Sequence, residues 1–98
     1  MVRLDGQIIS GIFDDRTKEF EIEKVKDFYT KSIIKKNQVD TLYHYLKLHE
    51  DDQEGQIITM YDQIPVLLTQ GEIKRLLRDL EQVKSMYHNI SYKKDNRV

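Results

Sequence analysis

The sequence predicts a small α+β domain, and three features of its residue pattern indicate that class. Alternating apolar and polar residues mark a β-hairpin near the N-terminus, further β-rich segments follow in the middle, and a capped amphipathic helix pattern lies near the C-terminus. A chain of 98 residues suffices for one core. We therefore expect a single domain over residues 1–90 and a polar, flexible tail over residues 91–98.

The predicted hairpin has its strands at residues 7–13 and 18–25. In the second strand apolar residues alternate with glutamates, and the polar residues 14–17 suit the turn between the two strands. From Val25 the apolar spacing becomes that of a short helix, which we expect to end near residues 35–37.

Residues 41–49 fit two kinds of secondary structure. Their apolar residues have helical spacing with Val39, but they also alternate as in a strand. The threonine and aromatic residues at the start of the segment favour the strand. With β-rich segments at residues 56–61 and 64–69, this strand would form a three-stranded antiparallel meander, in which Pro65 suits an edge position.

The pattern near the C-terminus predicts an amphipathic helix. Thr69 and Glu72 match the capping box, so the helix should begin there and pack on one sheet face. Its apolar stripe comprises Ile73, Leu76, Leu77, Leu80, Val83 and Tyr87. On its other side the spacing predicts three charge pairs: Glu72 with Arg75, Arg75 with Asp79, and Glu81 with Lys84.

The tetrapeptide GQII occurs twice, at residues 6–9 and 55–58. Each copy precedes a second β-rich segment and then a helical pattern. A duplicated ββα unit would explain this arrangement, and so would chance in a chain with eleven isoleucines.

Composition restricts the possible functions. The chain has no cysteine, which excludes disulfides, thiolate chemistry and cysteine-bound metals. Its formal net charge of -1 provides no general attraction to nucleic acid or anionic lipid. The N-terminus lacks the apolar core of a signal peptide, and no apolar run is long enough to span a bilayer, so we expect a cytoplasmic protein. The absence of alanine beside eleven lysines suggests a low-GC bacterium or its phage as the source.

Catalytic and metal-binding patterns are missing from the sequence. No nucleophile elbow, phosphate-binding loop or HExxH motif occurs. His44 and His49 are five residues apart, a spacing that brings them together neither on a strand nor on a helix. Residues 50–61 approximate an EF-hand loop, but Tyr61 stands where the bidentate carboxylate is required. We expect no enzyme activity, no cofactor and no bound metal.

The most distinctive charge feature is an acidic region in the middle of the chain. Between Leu48 and Ile73 there are six acidic residues and no lysine or arginine. Such a region can attract a basic protein or a second copy of the chain, and tyrosine is common at interfaces. The candidate partner-binding residues are Tyr43, Tyr45, Glu50, Asp51, Asp52, Glu54 and Asp62.

These observations favour a small non-enzymatic interaction protein, a regulator or inhibitor that occupies a surface of another protein. Two copies of the chain could also form a homodimer. The alternative is a nucleic-acid-binding regulator, because residues 71–98 hold seven lysines and arginines against four acidic residues. That alternative depends chiefly on Lys93, Lys94 and Arg97.

Overall fold

Six strands and two helices make up the part of the chain that the structure, a computed structural model, describes: residues 1–59 and 65–96, with residues 89–96 as backbone only. In chain order they are β1 (Val2–Asp5), β2 (Ile9–Asp14), β3 (Glu19–Val25), β4 (Phe28–Ile34), α1 (Lys36–Leu48), β5 (Gln56–Ile58), β6 (Val66–Leu68) and α2 (Gln70–Asn96). Strands β1 to β4 form an antiparallel meander, and β5 and β6 form a separate antiparallel pair. The predicted α+β class is confirmed.

Two predicted elements are wrong. The segment after Val25 forms strand β4, which pairs with β3, and the expected strand at residues 41–49 belongs to helix α1. In α1 the seven-residue spacing of Val39 and Leu46 places both side chains in the core, which outweighs the β propensity of the local sequence. The expected meander at residues 41–69 is therefore a two-stranded ribbon, and the meander of the protein lies in its N-terminal third.

Two further differences concern the chain ends. Strand β1 was not predicted, because charged residues alternate in it and only Leu4 is buried. Helix α2 continues to Asn96, beyond the start of the predicted tail at Ser91. The flexibility of that tail stays a prediction. None of the described helices is both long enough and apolar enough to cross a membrane.

The core forms where α2 packs against the meander and the ribbon. Every residue of the predicted apolar stripe of α2 is buried, which confirms that prediction. The sheets contribute alternate residues of their inner faces, and α1 adds Val39 and Leu46. The fully buried side chains of the strands include Ile9, Phe13, Phe20, Ile22, Ile34 and Leu68.

The buried carboxylate of Asp79 joins α2 to the turn between β1 and β2. Its oxygens accept hydrogen bonds from the backbone N–H groups of Gln7, Ile8 and Ile9 at 3.1, 2.7 and 3.0 Å. A Cβ atom on Gly6 would lie 2.5 Å from Asp79 Cγ, so only glycine lets the turn approach this closely. The carboxylate thus satisfies a turn whose N–H groups would otherwise be buried without partners.

Two turns further along α2, Tyr87 joins the helix to β3 and β4. Its hydroxyl donates to the Ile34 carbonyl at 2.6 Å and accepts from the Phe20 N–H at 3.1 Å. The ring meets Phe13 edge to face at 4.9 Å between centroids. Burial raises the pKa of the Tyr87 phenol above its ordinary value, so the group stays protonated and able to donate.

The start of α2 is also anchored. The capping box is formed as predicted: Thr69 N–H donates to Glu72 Oε1 at 2.9 Å, and Glu72 N–H donates to Thr69 Oγ1 at 3.2 Å. Lys26, in the turn between β3 and β4, donates to Glu72 Oε1 at 3.0 Å and to the Leu67 carbonyl at 2.9 Å. This lysine therefore links the meander, the ribbon and the helix cap.

Replacing Asp79 with alanine should strongly destabilise the protein, because three backbone N–H groups lose their acceptor in a buried site. We expect the free energy of unfolding to fall by about 3 kcal/mol or more, measured by urea denaturation. Asp51→Ala, which removes an exposed carboxylate, is the matched control and should change stability by less than about 0.5 kcal/mol. Equal effects of the two substitutions would contradict the anchoring role.

Glu72 should make the stability of the protein depend on pH. The backbone N–H of Thr69, assisted by Lys26, lowers the pKa of Glu72 below its ordinary value of 4.5. A carboxyl with a depressed folded pKa stabilises the protein above its unfolded pKa, and this contribution is lost as pH falls through the folded pKa. Glu72→Gln should therefore be less stable than the wild type at pH 7. The difference should shrink below pH 4.5, as urea titrations at several pH values can show; a pH-independent difference would contradict this account.

Candidate partner-binding surface

Two of the candidate partner-binding residues, Tyr43 and Tyr45, would share one face of the strand predicted at residues 41–49, but in helix α1 they lie on different sides. They are two residues apart, which corresponds to about 200° around a helix. Tyr43 packs against the core, its hydroxyl donates to Glu81 at 2.8 Å, and the Lys84 ammonium lies 4.2 Å from its ring centroid. The hydrogen bond to Glu81 raises the pKa of Tyr43. Tyr43 thus joins α1 to α2, and the prediction that it shares one surface with Tyr45 is wrong.

Tyr45 does lie beside the predicted acidic region. Its side chain is 40% exposed, its hydroxyl donates to Gln56 Oε1, and its ring packs on His49 with 4.6 Å between centroids. Gln56 is the first residue of β5. The contact therefore holds the C-terminal end of α1 against the start of the ribbon.

The acidic loop, residues 49–55, has a defined internal structure. Asp52 Oδ2 lies 2.8 Å from His49 Nδ1 and accepts from Gln56 Nε2 at 2.8 Å. Gly55 has φ +78°, and a Cβ atom there would lie 2.1 Å from the Leu68 carbonyl oxygen. The loop is thus held at both of its ends by the helix and by β6.

The same structure shows that the two GQII copies have different environments. Gly6 belongs to a turn that Asp79 holds, whereas Gly55 adopts a left-handed conformation against β6. The first copy is mostly turn and ends at Ile9, the first residue of β2, whereas the second contains the whole of β5. The repeated letters therefore do not mark equivalent positions in two similar units.

Within the acidic loop, the predicted carboxylates differ in what they contact. Glu50 pairs with Lys47 at 3.2 Å, and Asp52 pairs with His49. Asp51 and Glu54 are exposed, and neither has an ion pair within the described ranges 1–59 and 65–96. Asp62 lies outside the described residues. The loop therefore presents Asp51 and Glu54 as the carboxylates available to a partner.

Exposed apolar side chains accompany the acidic loop, and they were not among the residues predicted from the sequence. Leu48, at the end of α1, is 79% exposed, Ile57 is 65% exposed and Leu67 is 58% exposed. Ile57 and Leu67 are directly paired across β5 and β6, so their side chains are neighbours on the outer face of the ribbon. The consecutive apolar residues of each segment were the available signal: a short ribbon that packs one face on a helix must expose the side chains of its other face. The loop carboxylates, Tyr45 and these three residues are called the acidic loop surface below.

The described residues hold no group of three or more histidine, aspartate and glutamate side chains arranged to bind a metal ion. The near match to an EF-hand pattern is not accompanied by helices on both sides of the loop, because α1 precedes it and β5 follows it. The carboxylates of this loop instead face solvent or hydrogen-bond to neighbouring side chains.

The charge pairs predicted along α2 are not found among the described residues, because the acidic partners are used elsewhere. Glu72 binds the cap and Lys26, Asp79 binds backbone N–H groups, and Glu81 accepts from Tyr43. Three exposed basic side chains near the start of α2 therefore form no ion pair with any described residue: Lys74, Arg75 and Arg78.

The residues on which the nucleic-acid alternative chiefly depends lie near the end of the chain. Lys93 and Lys94 belong to the helical backbone of α2 but not to the range whose side chains are described, and Arg97 lies outside the described residues.

Comparisons of this chain with protein-family models, with curated proteins and with solved structures found no match in any of the three.

Proposed function

We propose that this chain is a small, cytoplasmic, non-enzymatic protein–protein interaction module, a regulator or inhibitor that occupies a basic surface of another protein. The observation that carries the proposal is the acidic loop surface: the loop with the exposed carboxylates Asp51 and Glu54 leads directly into β5, whose Ile57 forms an exposed apolar pair with Leu67. Protein interfaces commonly combine an apolar centre with a polar rim.

Each part of this surface has a distinct physical role in the proposal. Ile57 and Leu67 lose solvent contact when a partner docks, which stabilises the complex by about 25 cal/mol per Å² of apolar area. Carboxylates that lack a cation attract and orient a basic partner before contact.

The surface is also preorganised. The Tyr45–Gln56 and His49–Asp52 contacts hold the loop in the unbound protein. A partner therefore spends little of its binding free energy on ordering the loop.

A pull-down with the tagged protein from a nuclease-treated lysate of a low-GC bacterium tests this proposal. We expect a stoichiometric protein partner, which is then purified so that its association and dissociation rates can be measured. Asp51→Asn with Glu54→Gln should lower the association rate several-fold at low salt, and the difference should vanish at about 1 M salt, where the Debye length is about 3 Å. Ile57→Thr should raise the dissociation rate about tenfold.

Two exposed positions away from the acidic loop provide matched controls. Asp27→Asn removes an exposed carboxylate in the turn between β3 and β4, and Ile33→Thr removes an exposed isoleucine from β4. Both controls should bind the partner like the wild type. The proposal would be overturned if no protein partner were recovered from the nuclease-treated lysate, or if all variants bound the partner equally.

A nucleic-acid-binding regulator is the second candidate, and the basic start of α2 favours it. Lys74, Arg75 and Arg78 lie within about one turn and a half of helix, and the acidic residues near them are engaged in other contacts. A helix surface with several unneutralised cations is suited to phosphate groups. In this alternative, Lys93, Lys94 and Arg97 would extend the contact toward the end of the chain.

The salt dependence of retention on heparin or of binding to a short DNA duplex tests this candidate. If Arg75 and Arg78 both contact phosphates, replacing them with glutamine should reduce the slope of log K against log salt by about 2. Lys93→Glu with Lys94→Glu should abolish retention at low salt, whereas the exposed-turn control Arg16→Gln should leave it unchanged. Unchanged slopes in both variants would exclude this function.

A further inference from the structure

Strand β4 leaves one edge of the meander open. It pairs with β3 along one side, and no strand among the described residues pairs with its other side. Its seven residues include three exposed apolar side chains: Phe28 at 43%, Tyr29 at 82% and Ile33 at 48% exposure. An open edge presents unpaired backbone N–H and C=O groups that can pair with another chain.

The opposite edge of the meander has a different character. Strand β1 has four residues, and Arg3 in it pairs with Asp5 at 3.0 Å and with Glu23 at 2.9 Å. Short strands with charged side chains discourage further strand pairing. Strand β4 is longer and more apolar, so it is the edge better suited to bind an extended segment.

The sequence on and around β4 is basic, although β3 places Glu21 and Glu23 near Tyr29 and Lys31. Residues 24–36 contain five lysines and one acidic residue. Lys26 is engaged with Glu72 and with the Leu67 carbonyl, and Lys36 pairs with Asp40 at 3.6 Å. The remaining lysines lie beside the strand or on it, with Lys31 at its centre. An acidic segment is therefore attracted to this edge.

The position of Lys31 also disfavours a second copy of this chain as the partner. If two β4 strands, each Phe28–Ile34, paired antiparallel over their full length, Lys31 of one copy would lie directly opposite Lys31 of the other. Like charges that face each other across a strand pair destabilise it. An acidic residue at the same place would stabilise it.

We propose that the open edge of β4 binds an extended acidic segment of a partner protein, which adds to the meander as a fifth strand. Ser32 and Ile34 are buried, whereas Tyr29, Lys31 and Ile33 are exposed and lie on the outer face. The register of β4 against β3 shifts between Tyr29 and Ser32, so Lys31 lies in an irregular part of the strand. The segment that matches this face has an acidic residue, with one apolar residue two positions before it and another two positions after it. Backbone hydrogen bonds supply the affinity, and these three side chains supply the specificity.

This surface is separate from the acidic loop surface. The proposal holds if the acidic loop has no partner, and it fails independently of that function. If both surfaces are used, the protein joins a basic partner to an acidic one.

Synthetic peptides provide the test. The probe is a fluorescent, end-blocked peptide of sequence Thr-Val-Thr-Glu-Thr-Val-Thr, and its counterpart has lysine in place of glutamate. We expect the glutamate peptide to bind about tenfold more tightly than the lysine peptide by anisotropy at low salt, and Lys31→Glu to reverse that preference. Ile33→Thr should weaken binding, whereas Ile57→Thr, the matched isoleucine on the ribbon, should not.

N-methylated peptides separate strand addition from simple charge attraction. Two versions of the glutamate peptide, methylated at alternate residues, each block one of its backbone edges. One version should lose binding, and amide exchange in β4 should slow on addition of the unmethylated peptide. Binding that survives both methylation patterns, or that ignores Lys31→Glu, would overturn the proposal.

Sedimentation of the protein alone completes the test. We expect a monomer in which the β4 amides that point away from β3 exchange freely. A dimer that protects the β4 amides would show that a second copy occupies the edge, and this result would overturn the proposal, as would the absence of any glutamate-peptide binding at millimolar concentration.

Discussion

The carboxylate of Asp79 is the constraint on which the rest of the structure depends. Helix α2 can cover the meander only if the turn between β1 and β2 passes directly beneath it, and that turn contributes three backbone N–H groups to a buried site. A carboxylate can accept all three, and Gly6 lets the chain approach without a clash. Tyr87 repeats this arrangement at β3 and β4. Helix α2 thus supplies hydrogen-bond partners to backbone groups of three strands and of the β1–β2 turn, while its apolar stripe fills the core.

These internal contacts decide which charges reach the surface. Three acidic residues of α2 are engaged elsewhere: Glu72 with the cap and Lys26, Asp79 with the buried turn, and Glu81 with Tyr43. The exposed cations of the helix therefore form no ion pairs with them. In the acidic loop Glu50 and Asp52 have local partners, while Asp51 and Glu54 have no ion pair in the part of the chain that the structure describes. Although the formal net charge is only -1, the protein therefore has an acidic surface at the acidic loop and a basic surface at the start of α2.

Which apolar residues are exposed depends on which faces of the sheets the two helices cover. Helix α2 buries one face of the meander and one face of the ribbon, and α1 packs against α2. Among the described residues, the exposed apolar side chains include Ile57 and Leu67 on the outer face of the ribbon and Tyr29 and Ile33 on β4. The ribbon follows the acidic loop in the chain, and β4 carries Lys31 between Tyr29 and Ile33. Such combinations favour protein partners, because apolar contact supplies affinity and charge supplies orientation.

The sequence by itself determined the elements whose signals are local. The capping box and the stripe of α2 predict that helix, and alternation with a polar turn predicts the pairing of β2 with β3, because caps and turns depend on residues close in the chain. Tertiary structure alone decided that residues 28–34 are a strand and residues 41–48 a helix, since both patterns fit either structure until β3 and α2 supply partners. It also decided the role of Asp79. Spacing alone assigned Asp79 to the charged side of α2 as a partner of Arg75, whereas the folded protein buries it. The turn that its carboxylate binds lies some seventy residues away along the chain, and only the folded chain brings the two together.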